Sequence, residues 1–163
     1  MERKELLDLL VKNKLTLSAM ESLTGGLFAA SFTSIPGASQ VFKGAGVTYV
    51  DEVKESFGVK KDTINEFGAV SLQCAKEMCL KASSFFNTDC AVSFTGNAGP
   101  TASENKPVGL VFIAIKVKTH LYSYKLSLTG DREEIRKQCV DFAFSTLIEK
   151  IKGLLENNPT SAI

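Results

Sequence analysis

The strongest constraint on the fold is an alternation of short apolar segments with longer amphipathic ones. Apolar runs at residues 15–19, 41–49 and 89–95 predict buried strands. Residues 109–118 and 121–128 read as two further strands joined by a short turn, which predicts a hairpin. Helical spacing of apolar residues predicts helices over 2–13, 27–34, 51–57, 61–67, 71–85 and 131–152, with Asp51 and Ser71 as N-caps.

Strands joined through helices favour parallel pairing, and a late hairpin adds an antiparallel pair. We therefore predict an α/β fold: a single layered domain with a mixed β-sheet of about five or six strands flanked by helices. The domain is expected to span residues 1–156, with residues 157–163 as a frayed tail.

Composition narrows the class of protein. The chain has 163 residues, of which 44% are hydrophobic and 23% charged, an ordinary globular balance. Its net charge of +1 lacks the broad basic footprint of a general nucleic-acid binder, so no nucleic-acid partner is expected. No apolar run is long enough to span a membrane, and the charged first residues do not resemble a secretory signal. The expected location is the cytoplasm.

Cysteine and histidine usage argues against metal chemistry. The four cysteines (Cys74, Cys79, Cys90 and Cys139) form no CxxC pair, so we predict buried, reduced thiols, no metal site and no cofactor. The single histidine, His120, falls in a strand-like segment and is expected to face solvent. A Ser-His-Asp triad is therefore not expected.

Three predicted strands end in loops with unusual composition. Ser22, Thr24, Gly25 and Gly26 follow the first, Asp51 to Lys54 follow the second, and residues 96–107 form the longest irregular segment. Ligands of open α/β sheets bind outside the carboxyl ends of strands, where helix N-termini present free N–H groups. Ser22 is therefore a candidate nucleophile, although a plain helix-capping role for this segment is the alternative.

Without histidine, a serine nucleophile requires another base, and lysine is the obvious substitute. The pKa of an unperturbed lysine, about 10.4, must fall to about 7–8 for this task. Such a shift corresponds to about 4 kcal/mol and needs burial or a nearby cation. Lys54 is the candidate base, with an ordinary solvated lysine as the alternative.

Eight ordered motifs connect these positions. They are Glu21-Ser22-Leu23-Thr24-Gly25-Gly26-Leu27, Ser34-Ile35-Pro36-Gly37-Ala38-Ser39, Phe42-x-Gly44, Tyr49-x-x-Glu52-x-Lys54, Gly68-Ala69-Val70-Ser71, Thr95-Gly96-x-Ala98-Gly99-Pro100, Lys106-Pro107-Val108-Gly109 and Gly130-Asp131-Arg132-x-x-Ile135-Arg136. Together they resemble the CinA C-terminal domain family over about residues 3–152. The family is also called competence/damage-inducible protein CinA. The chain resembles its stand-alone form, without the N-terminal molybdopterin-binding-like domain of longer members.

The resemblance implies an amidohydrolase, a nicotinamide-nucleotide amidase that converts nicotinamide mononucleotide to nicotinate mononucleotide and ammonia. Ser22 would attack the carboxamide, Lys54 would be the base, and Tyr49 would orient Lys54 or relay the proton. Substrate-binding positions would comprise an oxyanion site (Thr24, Gly25, Gly26) and a phosphate-side set (Thr95, Gly96, Asn97, Ala98, Gly99, Arg132, Arg136). The implied partner is a small pyridine nucleotide, and the implied assembly is a homo-oligomer in which an arginine reaches a neighbouring subunit.

Three features depart from the family pattern, one of which is Met20 where a small residue is commoner. Asn97 stands where an aliphatic residue is usual, and residues 100–105 replace a glycine-rich run. This polar loop supports an alternative function, a non-catalytic nucleotide-binding or competence-associated module with the same pocket. A Ser/Lys hydrolase acting on another amide is a third interpretation.

Overall fold

The computed structural model describes residues 1–157 and places five strands in one mixed sheet. The strands are β1 (Leu17–Glu21), β2 (Phe42–Val47), β3 (Cys90–Gly96), β4 (Leu110–Val117) and β5 (His120–Ser127). Their order is β2-β1-β3-β4-β5, with β1 parallel to both β2 and β3. The last two strands form an antiparallel hairpin whose first strand also pairs antiparallel with β3. The predicted mixed sheet and hairpin are confirmed.

Six α-helices connect and cover the strands within the described range. They are α1 (Glu2–Lys12), α2 (Leu27–Thr33), α3 (Asp51–Ser56), α4 (Lys61–Phe67), α5 (Leu72–Phe86) and α6 (Arg132–Asn157). The predicted cap of α5 is confirmed, because Ser71 Oγ accepts a hydrogen bond from the Cys74 amide at 3.1 Å. The predicted cap of α3 is wrong: the helix begins at Asp51, and Val50 occupies the N-cap position.

The ends of the predicted elements differ in two informative places. Strand β1 runs two residues past the predicted end because the buried carboxylate of Glu21 finds partners in the amides of Phe28 and Ala29. Helix α6 continues beyond the predicted end at residue 152 as far as Asn157. Residues 158–163 of the predicted tail lie outside the described residues.

The sheet separates two apolar clusters. On one face, α1, α2 and α6 contribute Leu6, Phe28 and Phe144 to the larger cluster. On the other face, α4 and α5 contribute Ile64 and Met78 to the smaller one. Strand β4 serves both, with Val111, Ile113 and Ile115 on the first side and Leu110, Phe112 and Ala114 on the second. This period-2 division is expected of a central strand buried on both faces.

The register of the parallel strands brings their carboxyl ends together. Glu21 at the end of β1 is paired with Val47 of β2 and Phe94 of β3. The pattern extends one step further, since the Thr48 amide donates to the Glu21 carbonyl at 2.8 Å and the Ser22 amide to the Phe94 carbonyl at 3.1 Å. The three loops that leave these strands therefore begin side by side.

The remaining sequence expectations concern thiols, histidine and long helices. All four cysteines are unpaired and buried, as predicted, and burial raises the pKa of the Cys90 and Cys139 thiols to about 12. His120 is exposed on β5, also as predicted. No helix within residues 1–157 is long and apolar enough to cross a membrane, and in the same range no three Asp, Glu, His or Cys side chains are grouped to hold a metal ion.

Candidate active site

A lysine and a serine are hydrogen-bonded at the meeting point of the three strand ends. Lys54 Nζ lies 2.9 Å from Ser22 Oγ, 2.7 Å from the Thr48 carbonyl and 3.1 Å from the Tyr49 carbonyl. Lys54 is only 2% exposed although it carries an amine, which is rare for an unpaired lysine. The two residues that the loop compositions singled out separately are therefore one unit, and the interpretation of Lys54 as a solvated lysine is wrong.

Burial lowers the pKa of Lys54 below its ordinary value. The carboxylates of Asp51 and Glu104 act in the opposite direction, because a nearby negative charge favours the ammonium form. Cys74 also lies near Lys54, but burial raises the pKa of this thiol to about 12 and keeps it protonated at neutral pH. Desolvation thus moves the lysine toward the neutral form that a general base requires.

Tyr49 takes part through its backbone rather than through its ring. Tyr49 is 53% exposed, and its hydroxyl accepts a hydrogen bond from Arg132 Nη2 at 2.8 Å. The backbone carbonyl of Tyr49, by contrast, accepts from Lys54, and Ser22 Oγ lies 3.3 Å from the same oxygen. The expectation that the phenol orients Lys54 or relays its proton is not met in this geometry, because the ring is directed to Arg132.

The turn after Ser22 is closed by a backbone hydrogen bond and contains two glycines. The Gly25 amide donates to the Ser22 carbonyl at 3.0 Å, and Gly25 and Gly26 have φ values of +57° and +102°, which favour glycine. Helix α2 has Gly26 at its N-cap position, without a side-chain cap bond. Ser22 therefore does not cap the helix with its side chain, whereas Gly26 of the same segment does occupy the N-cap position.

Glu21, the last residue of β1, supports this turn and was not predicted as a site residue. Its buried carboxylate accepts from the Phe28 amide at 3.0 Å and the Ala29 amide at 3.1 Å, so it satisfies two of the free N–H groups at the start of α2. A negative charge at this place is also favourable because the N-terminus of a helix carries a partial positive charge.

A cleft of about 380 Å³ opens over the Ser22–Lys54 pair, a volume suited to a small ligand. Five of the predicted substrate-binding residues line it: Thr95, Gly96, Asn97, Ala98 and Arg132. Five others do not: Thr24, Gly25, Gly26, Gly99 and Arg136. Asp51, Ser103 and Glu104 also line the cleft, although the sequence analysis did not select them as site residues.

Asn97 closes the polar loop on itself. Its side-chain oxygen accepts from Ser103 Oγ at 2.9 Å, and its amide nitrogen donates to the carbonyls of Ser103 and Lys106. The side chain is thus committed to loop structure, since both its donor and its acceptor groups have protein partners. The departure at Asn97 shapes the cleft wall and leaves little capacity for a substrate contact from this amide.

Glu104 attaches the same loop to the rest of the domain. Its carboxylate accepts from the amides of Ala69 and Val70 at 2.9 and 3.1 Å and forms an ion pair with Lys106 at 3.1 Å. Lys106 donates in addition to the carbonyl of Val70 at 2.6 Å. The Glu-x-Lys spacing at residues 104–106 is the sequence signal for this attachment.

The two predicted phosphate-binding arginines have different positions. Arg132 lines the cleft and donates to the Gly99 carbonyl at 2.6 Å as well as to the Tyr49 hydroxyl. Arg136, one turn later on α6, donates to the carbonyls of Leu23 and Thr24. Both arginines contact their own chain in this structure.

Comparison with known proteins identifies the family of the chain. The model of the CinA C-terminal domain matches residues 2–151. The chain belongs to the CinA C-terminal domain family. A CinA-like protein of Fervidobacterium nodosum is 48% identical over 142 residues, covering 86% of this chain and 35% of the relative. Another, from Petrotoga mobilis, is 44% identical over 149 residues, covering 90% and 37%. The chain thus spans about a third of the length of these curated CinA relatives.

Solved CinA structures share the fold over nearly the whole chain. A CinA superfamily protein from Klebsiella pneumoniae superimposes with a TM-score of 0.91 at 28% identity, covering 93% of this chain and 96% of the other. A competence/damage-inducible protein from Agrobacterium tumefaciens gives a TM-score of 0.77 at 33% identity, covering 97% and 96%. Membership in the CinA family is therefore supported by both sequence and fold.

Proposed function

We propose that this CinA domain is an amidohydrolase that converts nicotinamide mononucleotide to nicotinate mononucleotide and ammonia. The observation that carries the proposal is the 2.9 Å contact between Lys54 Nζ and Ser22 Oγ in a buried site beneath the cleft. Serine beside a desolvated lysine is an arrangement that produces a nucleophile without histidine or metal.

The contacts of Lys54 explain how its lone pair is directed. A neutral amine has two N–H groups and one lone pair. The Thr48 and Tyr49 carbonyls accept two N–H bonds from Nζ, so the lone pair of the neutral form is directed toward Ser22 Oγ. The backbone after β2 thus orients the base.

The reaction then follows in two balanced halves. Ser22 Oγ attacks the carboxamide carbon while its proton moves to Lys54, and the ammonium of Lys54 returns that proton to the leaving nitrogen as the C–N bond breaks. Ammonia departs and leaves an ester on Ser22. A water molecule attacks this ester, Lys54 accepts the water's proton and returns it to Ser22 Oγ, and nicotinate mononucleotide is released.

The developing oxyanion needs donors, and the turn after Ser22 supplies two. The amides of Leu23 and Thr24 have no protein acceptor among residues 1–157; Leu23 lines the cleft, and the buried Thr24, which does not line it, is the next residue of the turn. Preorganised backbone donors of this type are among the largest contributions to catalysis of acyl transfer. The Gly25 amide is not available for this role, because it already donates to the Ser22 carbonyl.

Arg132 supports the nucleotide part of the proposal. It lines the cleft and uses two of its nitrogens for protein contacts, while a guanidinium carries five N–H donors, so donors remain for a phosphate.

We include a cytoplasmic location and a homo-oligomer in the proposal. The buried, unpaired cysteines are consistent with a reducing compartment.

The test is ammonia release from nicotinamide mononucleotide by the purified chain, with nicotinate mononucleotide identified chromatographically. We expect equal amounts of the two products. Binding of the nucleotide without product would favour the non-catalytic module. Turnover of other amides but not of this one would leave a Ser/Lys hydrolase with a different substrate.

A further inference from the structure

Arg136 contacts the catalytic turn from outside the cleft. Its Nε donates to the Leu23 carbonyl at 3.0 Å, and its Nη2 donates to the Thr24 carbonyl at 2.9 Å. The side chain is half-buried and does not line the cleft, whereas Arg132 does. A guanidinium is suited to this contact because its planar fork places two donors opposite two neighbouring acceptors.

The same contacts determine where the backbone amides of the turn point. In a trans peptide the C=O and N–H bonds point in opposite directions. The Leu23 carbonyl faces Arg136, so the Thr24 N–H faces away from it. The Thr24 carbonyl also accepts from Arg136, which holds the Thr24–Gly25 peptide. The Gly25 amide in turn donates to the Ser22 carbonyl, so the Leu23 N–H points away from Gly25.

We propose that Arg136 is a positioning residue that fixes the Leu23 and Thr24 amides as oxyanion donors, and that it does not bind the substrate phosphate. The inference rests on the proposed acyl-transfer function of Ser22. Gly25, with its positive φ, gives the turn rotational freedom that the guanidinium removes. The hydrogen bond from Arg136 to the Leu23 carbonyl also polarises the Leu23–Thr24 peptide, which strengthens the Thr24 N–H as a donor.

The first experiment compares Arg136→Lys with Arg132→Lys on two substrates, nicotinamide mononucleotide and nicotinamide riboside, which lacks the phosphate. We expect Arg136→Lys to lower kcat about 10- to 100-fold by the same factor on both substrates, with little change in KM, because a small misplacement of catalytic donors is costly. Arg132→Lys is expected to raise KM for the mononucleotide only. A loss in Arg136→Lys that is confined to the mononucleotide and to KM would overturn the proposal.

A second experiment does not depend on the amide substrate. An alkyl fluorophosphonate reacts with an activated serine: Oγ gives its proton to Lys54 and bonds to phosphorus, fluoride leaves, and the phosphonyl oxygen occupies the oxyanion site. We expect Ser22 to be labelled at least about 10-fold more slowly in Arg136→Lys than in wild type or Arg132→Lys. Equal rates, or no labelling of wild type, would overturn the oxyanion assignment.

A rescue experiment with Arg136→Ala and added guanidinium ion separates loss of the guanidinium contact from loss of folding. Free guanidinium at low concentration is expected to restore part of the labelling rate in Arg136→Ala but not in Ser22→Ala, and melting temperatures identify any variant that does not fold. If the wild-type protein labels at Ser22 but releases no ammonia from the mononucleotide, the proposed substrate is wrong while the role of Arg136 stands or falls on the labelling rates.

Discussion

The parallel and antiparallel halves of the sheet both carry a serine and a lysine, but in very different surroundings. In the parallel half, the carboxyl ends of β1, β2 and β3 lie side by side. Ser22 and Lys54 meet there in a buried contact. In the hairpin, β5 carries Ser123 and Lys125 on the outer edge of the sheet, partly or fully exposed. One region therefore changes the chemistry of its serine and lysine, while the other leaves them solvated.

Topology explains the difference. Parallel strands require crossover connections, so successive strands end at the same edge and their loops converge. An antiparallel hairpin reverses at once, here through Lys118 and Thr119, so its two strands end at opposite edges. A hairpin cannot by itself gather three strand ends around one cleft. The comparison predicts that matched substitutions in the two halves have very different consequences.

The largest difference is expected between Ser22→Ala and Ser123→Ala. Ser22→Ala removes the nucleophile, and we expect kcat for nicotinamide mononucleotide to fall by at least about 10⁴-fold. Ser123→Ala should retain wild-type activity. Both should melt within a few degrees of the wild-type protein, since Ser22→Ala removes two hydrogen bonds of Ser22 Oγ that are worth about 1 kcal/mol each. Wild-type turnover by Ser22→Ala would remove the acyl-enzyme mechanism.

A slightly smaller effect is expected for Lys54→Arg, with Lys125→Arg as its hairpin counterpart. Arginine keeps the charge but does not deprotonate in the working range, so it cannot accept the Ser22 proton. We expect kcat to fall about 10²- to 10⁴-fold, the usual contribution of a general base, while the nucleotide still binds. Isothermal titration measures that binding in the inactive variant.

The two roles of a cation separate in this experiment. If Lys54 acted only as a positive charge toward phosphate or carboxylate, arginine would serve well, because its fork suits such groups. Substantial turnover by Lys54→Arg would therefore contradict the base assignment and direct attention to another proton acceptor. Lys125→Arg should be indistinguishable from the wild-type protein in both rate and binding.

Much of the fold was predictable because the patterns were local. The hairpin and the helices over 27–34, 61–67 and 71–85 follow from short-range periodicity and caps, and the structure confirms them to within a few residues. The end of β1 was not predictable in this way. Glu21 reads as a polar break in the sequence, but its carboxylate is satisfied by amides seven and eight residues later, a tertiary contact that no local pattern contains.

The candidate site divides along the same line. Ser22 and Lys54 were predictable from their loops, whereas their 2.9 Å contact depends on the register between β1 and β2. The predicted role of Tyr49 concerned its ring, whereas its backbone carbonyl makes the contact with Lys54. Every residue has a backbone carbonyl, so the residue type could not predict this contact. Arg136 was grouped with Arg132 for its charge, and only the packing of α6 against the Ser22 turn separates the two.

The smallest expected effect is a shift in the pH dependence of kcat/KM. Asp51 lies beside Lys54 in the cleft and should change it, whereas His120 on the hairpin should not. Lys54 must be neutral to accept a proton, so kcat/KM should rise with pH through the lowered pKa of Lys54. The Asp51 carboxylate favours the ammonium form and thus raises that pKa. Asp51→Asn removes this charge, which lowers the pKa further, so the rising limb of the profile should move to lower pH.

The controls keep this shift specific to the cleft. Glu52→Gln changes the charge of the next residue, which is exposed and not among the groups acting on Lys54, and its limb should move less than that of Asp51→Asn. His120→Gln removes the only imidazole in the chain, and because His120 lies on the hairpin, the profile should stay unchanged. A limb that disappears in His120→Gln would assign the titration to histidine. A limb that moves to higher pH in Asp51→Asn would contradict the sign of the Asp51 effect, and with it the view that Lys54 works as the base against the charges of its own cleft.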